Sequence, residues 1–469
     1  MAKKMKKLGS NKQNMYFPVD NSANIHFAVL TKDRANTYRM TVEIDRSIDP
    51  VVLQEAFCAV APRFPDLIAG VQQGFLKNII VPADIDLTII KDRKVLAYMP
   101  IVEINRCAFR LLYKNNKVSI EVFHSLTDGY GGMEFLKTLM CEYFIRAGIT
   151  EPFRSSIVRH IDQSPTCEEY EDSFAIYAGK KKAPVNNISS YLPGGKEPKR
   201  DIETTTGEFS AQDIRTIAHQ YNVSINTLLT AVMAKSIMEL QMFYCNDVDS
   251  LKPVQIMVPA DLRKIFPSRT LRNFSLYALP KVTKKDFGKD FCQVVYDIEK
   301  QIKKDFAKEN LEAVMATNMT LDKNFILKNI PASLKNLVLR AGFHAVGKKQ
   351  SSITLSNLGV MTFPEEISGY IKSFKVYLTP RAASPYNCTV STYAGRLFVN
   401  FTRGSQHPEL EPIFFANMQD LGVKAAIEVN DNSVIFEKYL DGAKIPVLSR
   451  PVFCYNSYGN YKEESDEQR

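Results

Sequence analysis

The segment VSIEVFHSLTDGYGGMEFLKTLM, Val118 to Met140, changes its hydrophobic period partway along, and the rest of the chain is read outward from it. Val118, Ile120 and Val122 alternate with Ser119, Glu121 and Phe123, the period of a β-strand. His124 falls on the parity of the three aliphatic residues, so a continuing strand would turn its imidazole toward the inner face. Thr127-Asp128-Gly129-Tyr130-Gly131-Gly132 then supplies turn residues and glycines that end the strand. Beyond it Leu136, Leu139, Met140 and Tyr143 recur at helical spacing. The pattern predicts a strand, a tight connection bearing His124 and Asp128, and an amphipathic helix. Two readings of His124 are open here: a hydrogen-bonded structural histidine at a strand end, or a base held still for chemistry.

The pattern His124-x-x-x-Asp128-Gly129 between a strand and a glycine-rich helix start resembles the signature of the CoA-dependent acyltransferase superfamily. That superfamily includes chloramphenicol acetyltransferase, alcohol acetyltransferases, plant acyltransferases and peptide-synthetase condensation domains. Later segments add to the resemblance. PADLRKIFPSRTLRNF places Asp261, Arg263, Pro267 and Asn273 on an Asp-x-Arg…Pro…Asn pattern, and SSITLSNLG is similar to the Ser-Asn-x-Gly strand of alcohol acetyltransferase-like proteins. The similarity runs in order from about residue 15 to about 425. Phe123 stands where condensation domains carry the first of two histidines, and a chain without tryptophan lacks the Asp-Phe-Gly-Trp-Gly motif of plant acyltransferases. The bacterial alcohol O-acetyltransferase branch is the nearest match.

The resemblance implies a two-domain α/β fold like chloramphenicol acetyltransferase, each domain a mixed sheet with packed helices, with an active-site tunnel between the domains. It implies His124 as general base and Asp128 as a residue turned away from substrate. Gly129 and Arg263 would support the motif, Arg263 by pairing with Asp128, and Arg63 is the alternative partner. Thr354, Ser356, Asn357 and Asn273 are the candidates for an oxyanion or acyl pocket. The substrates implied are acetyl-CoA or another acyl-CoA and a small alcohol, with no permanently bound cofactor. An acyl carrier protein as donor partner, and a non-catalytic relative of the same fold, are the alternatives.

Composition bounds the remaining classes. A chain of 469 residues exceeds one ordinary core and points to two domains. The expected division is a disordered basic head over 1–14, a first domain with its crossover linker over 15–195, a second over 196–455 and a flexible tail over 456–469. The net charge of +9 comes partly from Lys3, Lys4, Lys6 and Lys7, and no basic run interleaves with aromatics, so nucleic-acid binding is not expected. No apolar stretch of roughly 18 residues marks a membrane span. Eight cysteines without a Cys-x-x-Cys pair read as reduced thiols of a cytoplasmic protein, and no metal site is expected. Gly-x-Ser-x-Gly, Walker A and Gly-x-Gly-x-x-Gly sequences are absent. His26, His160, His219, His344 and His407 are taken as structural.

Local signals fill in the elements. Met40, Val42 and Ile44 predict a strand, and Asp49-Pro50 the capped start of a helix. Lys114 to Lys117 predicts a hairpin turn, Ser210 and Ser224 two further helix caps, and Ala394-Gly395 a second hairpin tip. SSYLPGGKEPKR, 189–200, reads as an exposed linker. In SSITLSNLG, Thr354 and Ser356 alternate with Ile353 and Leu355, which fits an edge strand facing water or a wall of the pocket.

Overall fold

The computed structural model describes residues 17–31, 35–184, 190–193, 198–320, 329–345, 350–381 and 384–429. The proposed head and tail lie outside them. The motif strand forms over Lys117–Phe123, paired to Phe109–Lys114 through a turn with Asn115 at φ 53° and to Thr37–Ile44 on its other side. Val118, Ile120 and Val122 are fully buried. A one-residue slip would turn all three out of the core, at about 1.5–3 kcal/mol each, so the register at His124 is strongly held. The opposite face is not solvent-exposed, as simple alternation would imply. Glu121 is fully buried there, 3.2 Å from both Arg39 and Arg110, and its carboxylate also accepts the Leu96 N–H at 2.7 Å.

The complete sheet of the first half runs Ile371–Leu378, Thr37–Ile44, Lys117–Phe123, Phe109–Lys114, Ile90–Lys91. Its first strand comes from the second half of the chain, antiparallel to Thr37–Ile44 with one register shift between Ile371 and Ser373. The two halves therefore exchange an element, and a boundary near 195 does not separate two self-contained sheets. The helix Pro50–Val60, capped by Asp49, packs with the motif helix Gly129–Arg146 against this sheet.

The second half is built on an eight-stranded sheet whose central path is Ser275–Ala278, Val254–Asp261, Ile353–Val360, Tyr386–Tyr393, Arg396–Ser405, Pro198–Ser210 and Ala426–Val429. Pro198 to Arg200, assigned above to the linker, begin its longest strand. Ile353–Val360 is no edge strand: it pairs in parallel with both neighbours. One face of the sheet, with Ile256, Val258, Ile353, Leu355, Cys388, Val390, Leu397, Val399 and Phe401, packs on the helix Ile225–Cys245 and its neighbours. The other face looks toward the first half. There Ser391 Oγ donates to Phe374 O (2.7 Å), Thr402 Oγ1 to Leu378 O (2.6 Å), and Thr389 Oγ1 to Val376 O. These hydroxyls satisfy the outer carbonyls of the exchanged strand, which would otherwise be an open sheet edge.

Candidate active site

His124 sits immediately after the motif strand, its backbone N–H donating to Asn36 O at 2.9 Å. Three turn residues follow, and Asp128 caps the helix that starts at Gly129, accepting the Tyr130 N–H at 3.1 Å. The glycines permit the approach of the other half of the chain. A Cβ on Gly131 would lie 2.1 Å from Thr127 Oγ1 and 2.5 Å from Leu271 O, a space already filled. At Gly129 the neighbour is Leu358, 3.1 Å from where a Cβ would be. The strand Ile353–Val360 therefore reaches the motif.

Asp128 is buried and fully engaged. Arg263 Nη1 lies 2.9 Å from Oδ2 and Nη2 3.3 Å from Oδ1, and the Phe274 N–H donates to Oδ2 at 2.8 Å. Arg263 is held in turn by Asp261 Oδ1 (2.8 Å) and the carbonyls of Thr270 (2.9 Å) and Arg272 (2.6 Å), with the Tyr130 ring 4.5 Å from its guanidinium carbon. Burial pulls the Arg263 guanidinium down, but the Asp128 and Asp261 carboxylates outweigh it and hold its pKa above the ordinary value. Arg63, the alternative partner, is occupied elsewhere: it forms a two-bond pair with Glu169 at 2.8 and 2.9 Å.

His124 Nδ1 lies 3.0 Å from Asn273 Oδ1, and Asn273 Nδ2 donates to Asp20 Oδ2 at 3.1 Å. Because the amide nitrogen is committed to a carboxylate, the amide oxygen faces the ring, and Nδ1 must carry the proton. Nε2 is then the basic nitrogen, and among the described residues no hydrogen bond engages it. Asp20 is 1% exposed and caps the helix Asn21–Ala28 through the Ala23 N–H at 2.7 Å. Burial pushes its carboxyl up to about 6, against the pull of Arg272, whose Nε lies 3.9 Å away. The same short helix carries His26, whose ring stacks on His124 with centroids 4.6 Å apart, while Tyr38 meets the ring edge-on at 5.3 Å. Both contacts restrict rotation of the imidazole.

Asn273, grouped from the sequence with the pocket residues, has both ends of its amide committed to this chain of contacts. His26, set aside from sequence as structural, and Asp20, not singled out at all, belong to the surroundings of His124. The available local signal was the Asp20-Asn21-Ser22 helix start, which says nothing about where the helix packs.

Thr354 and Ser356 lie on the sheet face opposite Ile353 and Leu355, the face that carries Leu358 to Gly129. Thr354 Oγ1 approaches Met257 Sδ at 3.9 Å. Asn357 serves the backbone instead: its Oδ1 accepts the Gly359 N–H at 2.9 Å where the register shifts and Gly359 takes φ 77°. Among the described residues no group of three or more His, Cys, Asp or Glu is arranged to hold a metal ion, and no single helix is long and apolar enough to cross a membrane.

No family model matches the chain, and no curated protein matches it. Solved structures do. TRI101 of F. graminearum, in complex with coenzyme A and deoxynivalenol, superposes with a TM-score of 0.58 at 10% identity, over 88% of this chain and 99% of that one. Polyketide synthase associated protein 5 from Mycobacterium tuberculosis gives 0.55 at 15% identity, over 86% and 98%. The starter condensation domain of rhizomide synthetase RzmA, with C8-CoA and Leu-SNAC, gives 0.54 at 12% identity, over 87% and 93%. The chain thus has the two-domain α/β fold shared by CoA-dependent acyltransferases and condensation domains.

Proposed function

We propose that this protein transfers an acyl group from a thioester, acetyl-CoA or another acyl-CoA, to the hydroxyl of a small alcohol, with His124 as general base. The observation that carries the reading is the Asp20–Asn273–His124 chain of contacts, which leaves Nε2 as the basic nitrogen. A neutral imidazole with a free Nε2 can accept a proton there. The hydroxyl proton passes to Nε2 as the alcohol oxygen attacks the thioester carbon, and the carbonyl π pair moves onto oxygen. As the tetrahedral intermediate collapses, the C–S bond breaks and the thiolate takes the proton back from the imidazolium. No acyl-enzyme is needed, because the thioester is already activated and both reactants are held together.

The positive charge on the ring in transit is supported through Asn273 toward Asp20. Thr354 and Ser356 are the hydroxyl donors assigned to the oxyanion. Asp128 and Arg263 hold the loop that presents His124 and do not touch substrate. An acyl carrier protein as donor is the second reading, favoured by the condensation domain among the similar structures. Phe123, in place of a first histidine, weighs against peptide-bond formation. Thiol release from acetyl-CoA across a panel of small alcohols and amines tests the proposal. Release dependent on an alcohol supports it, and turnover only with a carrier-loaded acyl group supports the second reading. No transfer from either donor by the folded protein would overturn both.

A further inference from the structure

The strands Lys117–Phe123 and Ile371–Leu378 run in the same direction on either side of Thr37–Ile44, so they end at the same edge of the sheet. The first leads into His124. The second leads through Thr379, whose N–H donates to Thr37 O at 3.0 Å, to Arg381. Two inter-strand spacings of about 4.8 Å separate the ends of the two strands, about 10 Å in all. Arg381 Nη2 donates to Ser351 Oγ at 3.3 Å, at the entrance of the strand that carries Thr354 and Ser356.

Among the described residues no carboxylate lies within ion-pair distance of Arg381, and the titratable group facing it is Tyr277. The Tyr277 hydroxyl donates to Gln350 Oε1 at 3.4 Å. Tyr277 shares a strand face with Ser275, and Asn273, the partner of His124, lies just before that strand on the same parity. The Tyr277 ring keeps 41% of its surface open, yet enough protein surrounds it to push the phenol up, and burial pulls the Arg381 guanidinium down. Arg381 is half-buried, and the other arginines closed off from solvent each have a carboxylate within ion-pair distance: Arg39, Arg63, Arg263, Arg272 and Arg403. A half-buried cation without a carboxylate partner calls for an explanation, and an anionic ligand supplies one.

We propose that Arg381, with Tyr277 and Gln350 beside it, is a subsite for an anionic group, a carboxylate or phosphate, on a substrate that reacts at His124. The guanidinium offers paired N–H donors to two oxygens of that group, and the phenol adds a third. The anion belongs either to the acceptor, as a hydroxy acid, or to the phosphates of the CoA donor. The proposal rests on the acyl-transfer reading only for what happens next, because binding is measured without turnover.

The test compares the full chain with Arg381→Gln and Arg381→Lys. Thermal melts are run in anion-free buffer, then with inorganic phosphate, with 3-hydroxybutyrate and with CoA. The anion-free melting temperature of Arg381→Gln is expected at or above that of the unsubstituted chain, because a half-buried charge without a carboxylate partner has been removed. The unsubstituted chain is expected to gain stability with at least one of the anions, and Arg381→Gln to lose that gain. Arg381→Lys is expected to keep part of it. Calorimetric titration then distinguishes the sources. A fall of about 30-fold or more in CoA affinity in Arg381→Gln, with pantetheine binding unchanged, assigns the site to the donor. Unchanged CoA affinity with a lost response to 3-hydroxybutyrate assigns it to the acceptor. If anions stabilise both proteins equally, or neither, the subsite is refuted. Absence of thiol release would instead count against acyl transfer.

Discussion

At Asp20 two demands meet, because the residue caps a helix and ends the chain of contacts behind His124. Burial pushes its carboxyl up to about 6, whereas an unfolded aspartate titrates near 3.9. The folded chain thus binds this proton more tightly than the unfolded chain. The stabilisation is complete below pH about 4 and is lost as pH rises through about 6. Asp20→Asn keeps a capping side chain and removes the dependence. Relative to the unsubstituted protein, the variant should gain roughly 2 kcal/mol of stability between pH 4 and pH 7. Urea unfolding at the two values measures it, and a difference that does not change with pH would mean that Asp20 titrates as it does in the unfolded chain. The Asp128–Arg263 pair behaves differently, since both side chains are less than a tenth exposed and each is the other's charge partner. Removing Arg263 strands the Asp128 carboxylate and should cost about 3–5 kcal/mol, whereas removing Asp128 leaves Arg263 with Asp261 and should cost less. Asp128→Leu with Arg263→Met should cost less than the two single losses added together. Additive losses would show that the two charges act independently.

Among the elements, the strand Ile353–Val360 carries the assigned oxyanion donors, and it lies inside the sheet with parallel neighbours on both sides. Thr354→Ala and Ser356→Ala leave that pairing intact. Loss of a true oxyanion donor should raise the barrier by about 3–4 kcal/mol. Single-turnover rates decide it: changes of only a few-fold in both variants would hand the role to backbone N–H groups. What the sequence reveals and conceals is clear in this strand. Its alternation separates Thr354 and Ser356 from Ile353 and Leu355, but alternation does not say which neighbours it pairs with. The helix caps at Asp49, Ser210 and Ser224 were legible because a cap acts within three residues. The contact from Asn273 to Asp20 spans 253 positions, and the stacking of His26 on His124 depends on how a whole helix docks. No local pattern encodes either. Asn273 was found by family resemblance, while its hydrogen bonds to His124 and Asp20 came only from the fold.

Across the whole molecule, the exchanged strand Ile371–Leu378 joins the halves, and the hydroxyl row on the facing sheet closes its outer edge. The sequence contains Thr389, Ser391 and Thr402 on strands of high β-propensity, where they read as ordinary sheet residues. Their role appears only once the strand they serve has crossed to the other sheet. Ser391→Ala and Thr402→Val should each cost about 1–3 kcal/mol, since each leaves a buried carbonyl without its donor. Both halves should lose stability together in denaturant, as one cooperative transition. Separate transitions for the two halves would show that the seam does not couple them. The same arrangement sets His124 and Asp20 from the first half against Asn273 from the second, so the contacts that orient His124 depend on the seam staying closed.

The central claim is that His124 is the base for thioester acyl transfer. The most direct measurement is the rate of thiol release from acetyl-CoA, with a saturating alcohol identified for the unsubstituted enzyme, in His124→Ala. The account predicts a fall of roughly 10²–10⁴-fold in that rate, with CoA affinity and unfolding midpoint close to those of the unsubstituted protein. A variant that releases thiol at an undiminished rate, or that loses activity only in proportion to lost folding, would contradict it.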